Sequence, residues 1–395
     1  MGKEKNKNTL SHFREMMQVI RCVLLSKNYE RCEHINYSYV LQLALRHRVI
    51  GMVYPTVKNL VNKEEAEKFE INFAVNMHQV EIQNAVASGV FSELERMGIE
   101  YLPFKGYNLR RLYPEPYMRT SGDIDFLYHI KDDAGVCKAM KLNGLHKGIV
   151  GKQHTIYKNN IMKMEAHEYL VSDFEKFTEY YSDIWERADK NGCFYHMNSS
   201  DEYIFLIVHA MRHFLEGMLG VRTVIDAYFL RRQSDFNSEY VTEEFEKLHL
   251  LEFSKNIESL VNLYFGTKYD KESPPSEFEG AMASSGIIIN REINTSYTLH
   301  LKKGHTNRIK RVFERTFMPY SIMKKKYPVL VKLPVLLPFF WAKRIIGSVF
   351  RGTAHKELKR MSYVDKESVK TIENLFIDCG LGYFIDKTYT LNEDK

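Results

Sequence analysis

The sequence predicts an α+β protein, with a small mixed sheet flanked by N-terminal helices and a larger C-terminal helical region. Three observations carry that expectation. Apolar residues recur at helical spacing over the first hundred positions and again beyond position 174. Between 99 and 170 the texture changes to short apolar runs separated by turn residues. The composition is that of an ordinary globular chain, 395 residues with 44% hydrophobic and 27% charged. This excludes disordered and collagen-like classes.

The elements follow in order. SHFREMMQVIRCVLL (11–25) has apolar residues at 13, 16, 17, 20, 23 and 24, one helical face, with Ser11 as N-cap. Residues 37–49 read as a second helix, and 64–97 as a long third that closes at Gly98, a C′ glycine. IEYLPF (99–104) is a predicted strand and 105–113 a short helix closed before Pro114. DIDFLYHI (123–130) is a second strand, 132–144 a helix, and 154–170 two strands around an Asn159-Asn160 turn. Helices resume at 199–217, where Ser199 and Glu202 form a capping pattern, then at 221–233 and 242–266. Residues 271–280 read as a linker, 302–326 as a basic region and the stretch from about 386 as a polar tail. No internal repeat is visible. The expected units are an N-terminal helical region (1–98), an α/β core (99–172), a helical domain (173–270) and a basic, Pro-interrupted helical region with tail (271–395).

Cys22, Cys32, Cys137, Cys193 and Cys379 are scattered, with no C-x-x-C spacing. They read as free thiols in a reducing compartment. No apolar h-region follows Met1, and Lys7 stands where a myristoylation signal wants Ser or Thr. The expected location is the cytoplasm. The most apolar stretch, 328–350, is interrupted by Lys332, Lys343 and Arg344 and broken by Pro334 and Pro338, so it does not read as a membrane span. A net charge of +6 over this length gives little reason to expect a nucleic-acid partner.

The chemistry concentrates in FKGYNLRRLYPEPYMRTSGDIDFL (104–127). Asp123 and Asp125 stand two apart on a predicted strand, so both carboxylates project from one face. Like charges that close need a cation between them or a raised pKa. A divalent ion supplies the first, and oxygen donors favour Mg²⁺ or Mn²⁺. The bland reading is an edge strand carrying two solvated acids. Around the pair, Lys105-Gly106 closes one strand and opens a helix, a place where backbone N–H groups can hold a phosphate. Arg119 and the Thr120-Ser121-Gly122 run lie just before the acids.

Strand, Gly-containing turn, helix and D-h-D strand resemble the DNA polymerase beta-like nucleotidyltransferase superfamily. More narrowly, FKG…LYPEPYMR…DIDFL is similar to the uncharacterised nucleotidyltransferase family. MKMEAHEYL (162–170) stands where that family has a strand ending acid-x-His, and IVHAMRHF…VRTVIDAYFL (207–230) where it has paired histidines, then Arg and Asp. LPVLLPFFWAKR (333–344) extends the likeness, which runs from about residue 10 to 350. The superfamily usually has Gly-Ser at the turn, where this chain has Lys105-Gly106-Tyr107, and the 17 positions from Gly106 to Asp123 exceed its norm.

The resemblance implies metal-dependent transfer of a nucleoside monophosphate from an NTP to an acceptor hydroxyl. It implies a third carboxylate, Glu165, beside Asp123 and Asp125, with Lys105, Gly106, Arg119, Ser121 and His167 around the substrate. His167 shares a strand face with Glu165 and reads equally as a packed histidine. His209 and His213 stand i, i+4 on one helix face, a spacing that can ligate zinc, but no Glu follows His209 as a zincin requires. A core or pocket role suits them better. Arg222 and Asp226 share a helix face as an ordinary pair, and the resemblance places them in the cleft. The acceptor is a small molecule, a sugar, a peptide or a protein. Two other classes stay open: a nucleotide-binding regulatory protein without turnover, and a membrane-associated accessory protein of a biosynthetic pathway. The second rests on the Lys324-Lys325-Lys326 and Lys343-Arg344 patches with the apolar residues between them, which read either as a solvated face or as a membrane-surface patch.

Overall fold

The computed structural model describes residues 2–151, 153–172, 174–267, 273–286, 290–297, 317–350 and 366–385. The predicted polar tail and most of the predicted basic region lie outside them.

Four helices precede the sheet: α1 (Gly2–Leu24), α2 (Tyr37–Arg46), α3 (Ile50–Val57) and α4 (Lys63–Arg96). Ser11 lies inside α1 and is not its cap, because the helix begins nine residues earlier. The predicted 37–49 helix ends at Arg46, and α3, which carries Pro55, was not anticipated. Gly98 follows α4 at φ 67°, the left-handed geometry that a closing glycine adopts without strain.

A seven-stranded mixed sheet follows, in the order β3-β4-β5-β2-β1-β7-β6. Its strands are β1 (Tyr101–Phe104), β2 (Ile124–Tyr128), β3 (His146–Val150), β4 (His154–Lys158), β5 (Lys163–His167), β6 (Asp189–Asn191) and β7 (Phe194–His196). Helix α5 (Lys105–Leu109) leaves β1 directly, α6 (Asp133–Leu142) follows β2, and α7 (Glu175–Tyr180) and α8 (Ile184–Arg187) lie between β5 and β6. The sheet centre joins β2 antiparallel to β1 and parallel to β5. Three strands escaped the sequence pattern. β3 is largely exposed and shows no apolar alternation, and β6 and β7 are three residues each, marked only by the Asn191-Gly192 turn between them. The β4–β5 loop is the four residues Asn159–Met162, closed by Asn159 Oδ1 accepting from the backbone N–H groups of Ile161 and Met162.

Alternation along the central strands sends side chains to two cores. Ile124, Phe126, Tyr128, Met164 and Ala166 pack with Val90, Leu94 and Met140 of α4 and α6. Leu102, Phe104 and Leu127 face the other way, into a larger core that joins the N-terminal and C-terminal helices. That second core is built from α1–α3 and from α9 (Ser199–Leu215), α10 (Arg222–Leu230), α11 (Ser238–Lys247), α12 (Leu251–Phe265) and α13 (Glu277–Ser285). The predicted 242–266 helix is two helices, because His249 takes a left-handed φ of 56° between α11 and α12. Asn198, not Ser199, caps α9, accepting from the Asp201 backbone N–H at 2.9 Å. The predicted 271–280 linker contains the start of α13, which is tied to α1 by a buried two-bond pair of Arg14 with Glu279 at 2.8 and 2.7 Å.

Candidate active site

The face of the sheet turned to α9 carries the site. Alternation puts Asp125 on this face of β2, and the parallel register sets it directly beside Glu165 of β5. His167 lies two residues further along β5, and the β4–β5 register puts His154 opposite His167. Asp123 sits just before β2, where its side chain is about a third exposed, whereas Asp125 is buried. Six ionisable side chains, with Lys163, therefore converge from three neighbouring strands and their ends.

Each carboxylate has a cationic or imidazole partner. Asp125 Oδ1 accepts from Lys105 Nζ at 2.7 Å and lies 2.9 Å from His167 Nε2. Lys163 Nζ bridges Asp123 Oδ2 at 2.7 Å and Glu165 Oε1 at 3.0 Å. Glu165 Oε2 faces His154 Nε2 at 3.5 Å and His167 Nε2 at 3.6 Å. Burial alone would raise all three acids, but the neighbours divide them. Asp125 is held well below the usual range because Lys105 and His167 outweigh its burial. For Glu165, the His167 bond and the His154 and Lys163 partners overcome burial and bring it to about 2. Asp123 is raised, by burial first and then by the charge of Asp125.

The donor set fits a divalent cation. Three hard carboxylates meet in one place, and the Lys163 ammonium already marks a cation position between Asp123 and Glu165. The lysine bonds fall on one oxygen of each aspartate and leave the other to a metal. His154, Glu165 and His167 also bring ligand atoms within 4.8 Å of one another. The Nδ1 atoms of both histidines are buried without a hydrogen-bond partner. Nitrogen donors of this kind suit Mn²⁺ better than Mg²⁺.

Lys105 reaches Asp125 from a strained corner. It holds φ 58° where β1 turns into α5, a conformation uncommon for a side-chain-bearing residue and concentrated at functional sites. The next residue is Gly106, where a Cβ would stand 2.8 Å from Ser121 Cβ and 3.0 Å from Arg119 Nη1. Only hydrogen fits there. Ser121 donates its hydroxyl to the Asp123 carbonyl at 2.7 Å, pinning the loop that presents the acids.

Arg119 and Asp226 find each other. The guanidinium donates to both carboxylate oxygens at 2.8 and 2.7 Å, and the Tyr113 hydroxyl adds a third bond at 2.6 Å, all buried. Arg222 donates to the Thr120 carbonyl. Burial first, then the nearby Arg119 charge, lowers it to about 9, and its Nε has no hydrogen-bond partner.

Helix α9 is buried along its length except at His209, Arg212 and His213, which are half-buried. The two histidines touch through their Nε2 atoms at 3.0 Å. Burial keeps both neutral, His213 at about 4, with Lys105 adding to the effect on each. A cavity of about 40 Å³ lies beneath, lined by Lys105, Arg119, Glu202, Phe205 and His209 among others. It is large enough for water only, so a nucleotide would lie over the sheet face.

The sequence reading missed His154, Lys163 and Glu202. The strand alternation that aligned Glu165 with His167 also applies to Lys163, and the hairpin signal was enough to bring His154 to the same face. Glu202 was marked only as half of a capping pattern with Ser199, and it is instead buried and accepts from Asn108 and, at 2.9 Å, from Arg111.

Among solved structures, one with a likeness to the chain is the solution structure of the antibiotic-resistance factor ANT(2'')-Ia. It has 8% sequence identity, covers 47% of this chain and 96% of that one, and has a TM-score of 0.32. No curated protein matches. The family model described as "uncharacterised nucleotidyltransferase" matches residues 33–266, a shorter span than the 10–350 expected but one that includes every residue of the site above. With more than half of its length matched, the chain belongs to the uncharacterised nucleotidyltransferase family.

Proposed function

We propose that the protein transfers a nucleoside monophosphate from an NTP to an acceptor hydroxyl. The acceptor oxygen attacks the α-phosphorus, the bond to the β-phosphate oxygen breaks, and pyrophosphate leaves. The observation that carries this reading is the parallel register of Asp125 with Glu165, with Asp123 at the head of the same strand.

Asp123, Asp125 and Glu165 would hold Mg²⁺ or Mn²⁺, with His154 and His167 alongside. When bound, the cation would stabilise charge on the attacking and leaving oxygens. Lys105 is placed to neutralise the donor phosphates, because its ammonium already borders the acids. Glu165 is ionised and buried, able to accept the acceptor's proton directly or through His167. Lys163 must leave the Asp123–Glu165 pair as a cation arrives. Arg119 is engaged with Asp226 and acts by holding the loop that carries Asp123, while Arg222 keeps an unbonded Nε for a phosphate or an acidic acceptor group. The paired histidines of α9 stay neutral and offer hydrogen bonds to the acceptor.

A second reading, nucleotide binding without turnover, is favoured by one observation: lysines cover all three carboxylates. Thermal unfolding with EDTA, Mg²⁺ or Mn²⁺, and each NTP with metal separates the two when combined with a pyrophosphate assay. A ligand at 100 times its Kd adds about 2.7 kcal/mol, enough for a clear shift in Tm. Turnover requires a metal-dependent NTP shift, absent in the Asp123→Asn, Asp125→Asn double variant, and released pyrophosphate. A shift with no pyrophosphate for any acceptor supports the second reading. No shift at all removes both.

A further inference from the structure

The segment 317–350 carries six basic residues, Lys324, Lys325, Lys326, Lys332, Lys343 and Arg344, and no acidic one. It folds as short helices, Tyr320–Lys326, Val329–Lys332 and Leu337–Phe350, joined at Pro328 and by the turn Pro334–Leu336. The segment is closed on itself. The Tyr320 hydroxyl donates to the Leu330 carbonyl at 2.9 Å, and the Trp341 indole donates to the Met318 carbonyl at 3.0 Å. Tyr327 stacks on Phe340 with ring centroids 4.3 Å apart. Its inner side is filled by Ile322, Met323 and Leu330, all buried.

What remains outside is unusual for a surface. Val331, Leu333, Val335, Phe339 and Ile346 are all half exposed or more, Val335 at 80%. Isolated apolar side chains on a surface need no explanation, but a run of them in one ordered segment does. Lys332 and Lys343 are interleaved with these residues and exposed. No helix among the described residues is long and apolar enough to cross a membrane.

We propose that this face binds the surface of an anionic phospholipid bilayer. The apolar side chains enter the boundary between headgroups and acyl chains, and the basic ones lie against lipid phosphates and carboxylates. Charge selects this occupant. A second copy of the same face would set Lys332 and Lys343 against their like, whereas an anionic surface complements them. Proline breaks keep the segment from forming one spanning helix and hold it lying in the interface plane. None of its residues belongs to the Asp123 and Asp125 site, so the proposal does not depend on nucleotidyl transfer.

The test is flotation of the full-length protein with phosphatidylcholine vesicles, with and without about a third phosphatidylserine, at two salt concentrations. Binding should require phosphatidylserine and weaken with salt. Val335→Asp with Phe339→Asp should abolish it, and Lys332→Gln with Lys343→Gln should weaken it roughly fivefold per lysine removed. These side chains are exposed, so each variant should keep the wild-type Tm, and Asp123→Asn should float like wild type. Failure of wild type to float with anionic vesicles overturns the proposal. So does binding that the two Asp substitutions leave intact, which would place lipid contact elsewhere. Concentration-dependent dimerisation that those substitutions abolish, without flotation, would assign the face to self-association instead.

Discussion

Arg119 and Asp226, 107 positions apart, meet as a buried two-bond ion pair beneath the loop that delivers Asp123. The pair ties the α/β segment to α10, so the site depends on contacts between the two.

Breaking that pair from one side leaves a buried guanidinium without its counter-charge. Asp226→Asn should cost about 3–5 kcal/mol of stability, read as a lower urea midpoint at unchanged m-value. Arg119→Met with Asp226→Leu should recover much of the loss, because neither charge then remains buried. If the single variant unfolds like wild type, the pair does not hold the loop.

Gly106→Ala tests how rigid the corner is. Its methyl group would press on Ser121 Cβ and on Arg119 Nη1, and Arg119 cannot retreat from Asp226. A loss of about 1–3 kcal/mol is expected. Displacement of Lys105 should also weaken NTP-dependent stabilisation in the thermal assay. An unchanged Tm with and without NTP would mean the corner relaxes freely.

Lys163 competes with any divalent ion for Asp123 and Glu165. Lys163→Met should lower the Tm in EDTA, since two neighbouring acids lose their shared cation, and should tighten Mn²⁺ binding in a calorimetric titration. Each 1.4 kcal/mol of competing ion-pair energy removed is about a tenfold gain in affinity. Weaker Mn²⁺ binding in the variant would show that the lysine supports the metal site instead.

Glu202 makes stability depend on pH. Burial, opposed by Arg111, raises it to about 7, above its unfolded value near 4.3. The folded protein therefore holds a proton that the unfolded chain releases. Its contribution is fully present below the unfolded pKa and fades as pH rises through about 7, a loss of about 4 kcal/mol. Urea unfolding between pH 4.5 and 8 should show this decline in wild type and not in Glu202→Gln. Parallel profiles would mean that Glu202 stays ionised.

The helical periodicity of α1, α4 and α9, the short apolar runs of β1 and β2 and the D-h-D spacing were legible in sequence because each is a local pattern. The scattered cysteines are likewise free thiols in the fold. The edge strands β3 and β6, and the three-residue β7 beside β6, were not legible, since they are short or exposed and take their conformation from the neighbour they pair with. The sequence by itself determined that the 99–170 region forms a sheet and that Asp123, Asp125, Glu165 and His167 stand on strands or their ends. Only the tertiary structure decided which of these side chains meet. The parallel β2–β5 register chose Glu165 as Asp125's neighbour, the β4–β5 register added His154, and the packing of α10 gave Arg119 to Asp226 rather than leaving it open to solvent. The reason is physical: periodicity fixes which way a side chain points, while its partner is chosen by strand pairing and helix docking between segments far apart in the chain.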